Sequence, residues 1–257
     1  SVEDAVASFY CATDNRTPTS AKAVLLGALA YFISPVDLCP DIFAVIGRQI
    51  DTPFRRMSYA DAMAQYGSDK PDLRPGMPIQ DLSGFFRESS FRVFKEIVAK
   101  GGVVRGFLVP HAGKYSRSEV DGIVDQAKSL GATGLVWARR GEDGTITSSI
   151  MKAMGEEAVR QLLDTAGAGN GGVLLVAAGE PDSTSKLLGQ LRLNLAKKDG
   201  LLSGDTFEFL WVVDFPLLEW DAEDKRYVSM HHPFTSPIDE DLPLIGQGPT
   251  YTARFSE

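Results

Sequence analysis

Apolar positions along the chain change period several times, and the changes mark out its elements. Val103–Val109 reads as a strand. Ser116-Arg117-Ser118-Glu119 then spells a capping box, in which the serine and the glutamate satisfy each other's backbone donors. Val120, Ile123, Val124, Ala127 and Leu130 follow at helical spacing, and Gly131 stands where a helix closes. Gly134–Arg139 reads as a second strand, Glu142-Asp143-Gly144 as a turn, and Thr145–Thr147 as a hairpin partner. Glu156–Thr165 is helical, Val173–Ala178 a buried strand, and Ser183–Lys198 another helix. Helices and strands interleaved at this spacing predict a compact α+β or α/β domain over residues 86–206.

The flanks have a different texture. Thr17-Pro18 offers a helix start, Ala23–Ile33 is almost wholly apolar, and Pro35 ends the run. Such a run is too short for a bilayer core, which takes roughly 20 residues, so a buried or interfacial helix is expected. Ser34 to Asp41, with two prolines and two acids, forces an extended, turn-like path. Asp37 and Asp41 are read as turn and cap residues in preference to cation ligands. The character changes at Asp51: Ser58 is placed to cap a helix over Tyr59–Tyr66, Gly67 to end it, and residues 67–74 to form a polar loop. Phe209–Phe215 reads as a buried strand stopped by Pro216. Beyond it, Met230-His231-His232-Pro233-Phe234-Thr235 brings two of the three histidines side by side, at a pKa suited to proton or anion contacts.

Composition narrows the function classes. An apolar content of 44% fits a globular chain of one or two domains. The net charge of −8 comes from the C-terminal part, where residues 205–257 hold eleven Asp/Glu against three Lys/Arg. Residues 87–128 are mildly basic, with eight Lys/Arg against five Asp/Glu, which is no polybasic nucleic-acid footprint. Cys11 and Cys39, with neither disulfide framework nor zinc spacing, point to a reducing, cytoplasmic compartment, and no metal site is expected. A signal peptide pattern is absent, and Ser1 fits the edge of a fragment. Gly167 to Gly172 matches a dinucleotide pattern by letters, but phosphate cradling needs the order strand, glycines, helix, and here a helix precedes and a strand follows. Phe86-Arg87-Glu88 is rejected as a nucleotide-binding pair, and His111, alone beyond the first strand, carries no assignment.

Three resemblances follow from quoted stretches. Residues 4–47, with Pro35-Val36-Asp37-Leu38-Cys39-Pro40-Asp41, resemble the YkvA family of bacterial proteins of unknown function, often membrane-associated; the pattern breaks off after Gly47. Arg56-Met57-Ser58-Tyr59-Ala60 and Tyr66 to Arg74 resemble bacterial aspartyl-tRNA synthetases, in the catalytic-domain segment just ahead of a large insertion. Residues 86–206 are similar to that insertion, the GAD domain, and Phe209–Phe215, Glu219 and Met230–Thr235 resemble the resumed catalytic core. From about Leu242 the match fails.

The resemblance implies an α+β fold, with a compact GAD-type α/β insertion between incomplete pieces of a class II antiparallel-sheet core and a short helical N-terminal segment. The expected division is 1–50 YkvA-like, 51–85 core, 86–206 GAD, 207–241 core and 242–257 unmatched. It also implies that His231, with His232 beside it, contacts the substrate aspartate, since a cationic imidazole pairs with a carboxylate and a neutral one donates to it. ATP and Mg serve the full-length family enzyme, which joins aspartate to tRNA and is a homodimer. Class II motifs 1–3, with the ATP clamp, are not found in these residues, so no catalytic residue is assigned and no cofactor is expected for the chain alone. The other reading is a non-catalytic GAD binding or spacer module joined to a membrane-proximal YkvA-like segment, with weak membrane association through residues 1–50.

Overall fold

The computed structural model describes residues 53–110, 112–202, 206–216, 218–221, 224–229, 236–237 and 255–256. The expectations for the YkvA-like segment, Asp37, Asp41, both cysteines and all three histidines lie outside the described residues. Residues 56–257 group as one unit, separate from residues 1–55.

The centre of the described fold is a five-stranded sheet in the order β2-β3-β6-β4-β5. Its strands are β2 (Gln80–Asp81), β3 (Val103–Val109), β4 (Val136–Arg140), β5 (Ile146–Ser148) and β6 (Val173–Gly179). Each neighbouring pair is antiparallel. Between the two sequence-level alternatives, this makes the domain α+β. The sheet takes in Gln80–Asp81, ahead of residue 86.

β6 runs down the middle, and its apolar run is buried on both faces. Val173, Leu175 and Ala177 join Phe107 and Val109 of β3 on one side. There they meet Val120, Ile123 and Ala127 of α4 (Arg117–Ser129) and Leu188, Leu191 and Leu195 of α7 (Pro181–Lys198). Leu174 and Val176 face the other side, with Val104, Val136, Ala138 and Ile146. They meet Phe86 of α2 (Ser83–Arg87), Phe94 of α3 (Arg92–Ala99) and Val159, Leu162 and Leu163 of α6 (Glu156–Thr165). The short α5 (Met151–Met154) leads into α6. The sheet is therefore the middle of three layers.

Local chemistry sets the helix ends. Ser116 accepts from the Glu119 amide while the Glu119 carboxylate accepts from the Ser116 amide, completing the box read from the sequence. Glu180 caps α7 by accepting from the amides of Ser183 and Asp182, bonds that hold its carboxyl below the usual range. Gly155 and Gly131, both at positive φ, stand at the start of α6 and just past the end of α4. The glycine cluster at residues 167–172 is a turn between α6 and β6, as its order in the chain requires.

The flanking segments form smaller pieces. β1 (Arg55–Ser58) pairs with β7 (Leu210–Val213), and α1 (Tyr59–Tyr66) packs between them and α7. β8 (Leu218–Asp221) and β9 (Arg226–Ser229) make an antiparallel hairpin, and β10 (Ser236–Pro237) pairs with β11 (Phe255–Ser256). The stretch read as a buried strand is a half-exposed one: Trp211 is 37% exposed. Among the described residues β7 has one partner strand and α1 to cover it, too little neighbouring surface to bury both faces. Among the described residues no helix is long and apolar enough to cross a membrane.

Candidate functional site

The most tightly built place outside the sheet core is the seam where α1 and the loop after it meet α7. α1 starts at Ser58, whose extended backbone (φ −67°, ψ 152°) lets its hydroxyl accept from the Asp61 amide at 3.0 Å. It ends at Gly67 in the left-handed region, φ 68°. Ala62 and Tyr66 form its buried face, against Met57, Leu73, Leu210 and Val212.

Two glycines bring the helix backbones together. A Cβ on Gly189 of α7 would lie 2.2 Å from the Tyr66 carbonyl oxygen, and one on Gly67 would lie 1.9 Å from that of Ser185. No side chain fits at either point, so the register of the two helices is fixed by the absence of Cβ atoms.

Arg192, one turn along α7 and 1% exposed, locks the seam. Its Nε donates to the Gly76 carbonyl at 2.9 Å and its Nη2 to that of Asp72. Its guanidinium lies over the Tyr66 ring, 4.9 Å from the centroid. Burial pushes the Arg192 pKa down, and the Tyr66 ring and the Asp72 carboxylate partly offset this. Asp72 is itself held below the usual carboxylate range by its ion pair with Arg74 at 2.6 Å.

A cleft of about 360 Å³ opens beside the seam, lined by Tyr59 and Met63 of α1, Arg105 of β3, Asp182 of α7, and Asp214 and Pro216 after β7. Arg105 donates from Nη1 to the Pro181 carbonyl at 3.2 Å and to the Ser185 hydroxyl. Tyr59 packs on Phe215 with centroids 5.1 Å apart. With two carboxylates against one arginine already engaged by α7, the cleft does not fit the triphosphate of ATP. Among the described residues no group of His, Cys, Asp and Glu has the arrangement to hold a metal ion. These residues therefore support positioning of one segment on another, and no chemical step is derived from them.

The structure brings together Ser58, Tyr59, Tyr66 and Gly67, singled out in the sequence, and adds Arg192, Gly189, Ser185 and Arg105, which were not. Arg192 had a signal: it sits among Leu188, Leu191 and Leu195, on the apolar stripe of its helix. His231 and His232 lie outside the described residues.

Comparison with known proteins assigns this architecture. The GAD domain matches residues 94–188, which hold α3 to α6, β3 to β6 and the first half of α7. Residues 94–188 are thus the part of the chain that is similar to a GAD domain. Residues 21–48 match a family described only as a protein of unknown function, DUF1232. The aspartate–tRNA(Asp/Asn) ligase of Persephonella marina is 43% identical over 203 residues, 79% of this chain and 34% of the relative. That of Caldanaerobacter subterraneus subsp. tengcongensis is 44% identical over 205 residues, 80% of this chain and 34% of the relative. The aspartate–tRNA ligase of Ruminiclostridium cellulolyticum is 42% identical over 204 residues, again 79% and 34%. Over about four fifths of its length the chain is homologous to bacterial aspartate–tRNA ligases, and it spans about a third of the length of the relatives it matches.

Proposed function

We propose that this chain supplies the GAD insertion, and the catalytic-core segments on either side of it, to an aspartate–tRNA ligase. The enzyme it belongs to attaches aspartate to tRNA with ATP and Mg, works in the cytoplasm and is a homodimer. Residues 51–85 and 207–241 carry the core, residues 86–206 the insertion, and His231 with His232 meets the carboxylate of the substrate aspartate. The observation that carries this reading is the pairing of β1 with β7. Strands on opposite sides of the insertion hydrogen-bond to each other, as they must if the core resumes where it was interrupted.

Adenylate formation needs cations placed opposite the phosphates, and the cleft beside the seam, with Arg105 against Asp182 and Asp214, provides no such set. The 257-residue chain is therefore expected to give no aspartate-dependent exchange of pyrophosphate into ATP. The positive test is a chimaera in which residues 51–241 replace the matching segment of the Persephonella marina ligase. It should retain exchange, and His231→Ala within it should raise KM for aspartate. A folded chimaera without exchange, or exchange by the isolated chain, would overturn the proposal.

A further inference from the structure

The face of the sheet that carries α4 and α7 is apolar over β3 and β6, and its character changes at β4. Phe107, Val109, Val173 and Leu175 give way to Trp137 and Arg139, opposite Ser149, just past β5, and Thr147 on β5. α4 does not close over this end of the sheet. A cleft of about 500 Å³ is left between the strands and the first turns of α4, where Arg117 and Asp121 line it. That volume lies within the ≈ 300–1,000 Å³ of small-molecule sites.

The lining has complementary parts. Arg139 is held by three neutral acceptors, the hydroxyl of Thr147 at 3.2 Å and the carbonyls of Tyr115 at 2.9 Å and Gly113 at 3.4 Å. All of these engage its Nε and Nη1, so its Nη2 has no protein partner among the described residues. Neither Arg139 nor Arg117 forms an ion pair among the described residues. Two arginines uncompensated by carboxylate partners, one of them fixed in orientation, suit a phosphate. Trp137 is half-buried, its body packed on the core beneath α4 and its remaining surface in the cleft, which suits a stacked base. Among the described residues Asp121 is the one carboxylate in the lining, an acceptor of the kind that holds a ribose hydroxyl.

We infer that this cleft binds a nucleotide, with its phosphate on Arg117 and Arg139, its base on Trp137 and its ribose on Asp121. The nucleotide comes either free or as the end of an RNA strand. The site lies on the GAD domain, across the sheet from the glycine turn's helix α6, and uses none of the residues proposed for aspartate.

The test follows the indole N–H signal of Trp137 by NMR in the full 257-residue chain, identified among the three tryptophans by Trp137→Phe. Three probes are titrated: AMP, inorganic phosphate, and a 5′-phosphorylated hexaadenylate RNA. AMP or the RNA should shift the Trp137 signal saturably and leave those of Trp211 and Trp220 in place. AMP binding at least as tight as the RNA identifies a free nucleotide; much tighter RNA binding identifies a strand end. Arg117→Ala, at an exposed side chain with no hydrogen bond or ion pair among the described residues, should weaken binding about tenfold, as for one charge-assisted contact. The inference is overturned by no shift with any probe, by inorganic phosphate binding as tightly as AMP, or by unchanged affinity in Arg117→Ala.

Discussion

Gly122 and Gly189 both lie inside helices, α4 and α7, and replacing each by alanine separates propensity from packing. Alanine is favoured over glycine in a helix interior by about 1 kcal/mol. At Gly122 an added Cβ meets nothing within 4 Å, so Gly122→Ala should stabilise the chain by about 0.5–1 kcal/mol. At Gly189 the same atom would stand 2.2 Å from the Tyr66 carbonyl oxygen and 3.1 Å from the Gly67 Cα. The first contact is more than 1 Å short of ordinary van der Waals distance, and it falls on backbone fixed in the last turn of α1. The helices must move apart, at an overpacking cost of about 1–3 kcal/mol. Separation also stretches the bonds from Arg192 to the Gly76 and Asp72 carbonyls, one turn away, and a buried guanidinium left unsatisfied costs about 1–3 kcal/mol. Packing outweighs propensity, and Gly189→Ala should lose about 2–4 kcal/mol net. Equilibrium unfolding in urea, with hydrogen exchange at residues 66–79, reads both the size and the place of the effect. Equal or greater stability for Gly189→Ala than for the parent would refute the close approach of the two backbones.

Arg192→Met keeps the bulk of the side chain and removes its donors. It should cost about 2 kcal/mol, less than a stranded charge would, because the burial of the guanidinium is removed with it. Exchange at the Ile79 amide, bonded to the Gln65 carbonyl at 2.8 Å, should speed up with it. Tyr115 donates to Asp199, and burial first, then that carboxylate, raises its pKa above the ordinary phenol value of 10.0. The folded chain thus holds this proton more tightly than the unfolded one. Its contribution is complete below pH 10 and is lost as the pH rises beyond it, so Tm should fall above pH 10, and less steeply in Tyr115→Phe.

What could be read in advance was what local chemistry decides. β3 and α6 have the boundaries that the apolar period marks, and the Ser116–Glu119 box and the Ser58 cap are made by residues within three positions of each other. α2 and α3 left no such trace. Their N-cap residues are Leu82 and Phe91, which make no side-chain cap, and both helices are held by the Phe85, Phe86, Phe91 and Phe94 rings packed edge to face. Such helices depend on partners from elsewhere in the fold, and single-segment patterns do not carry that information. β2 is two residues long and exists by pairing with β3. The functional seam was hidden for the same reason. Arg192 meets Gly76 and Asp72 across more than a hundred residues, and only its place on an apolar stripe hinted that it is buried. The cleft at Trp137 escaped because its members alternate on two strands and cross to a helix.

An inserted domain joined by two connections is free to swing unless something beyond those connections opposes it, since contacts between domains are ordinarily polar and yielding. Here the connections are already short of freedom, because β1 and β7, one before the insertion and one after it, are bonded to each other. In the proposed division α1 belongs with the core segment and α7 with the insertion, and their contact admits a single arrangement. Sliding α7 by one residue would put the side chain of Leu188 or Gln190 where Gly189 touches Tyr66. Rotating it would draw a buried guanidinium away from the carbonyls that satisfy it. Each movement fails for its own reason, one steric and one electrostatic, so the GAD sheet is carried by α7 as a fixed extension of the core segment. A ligand in the cleft at Trp137 would then be held in a constant orientation to the segment that begins at β1, and binding there reports on the core without any hinge between them.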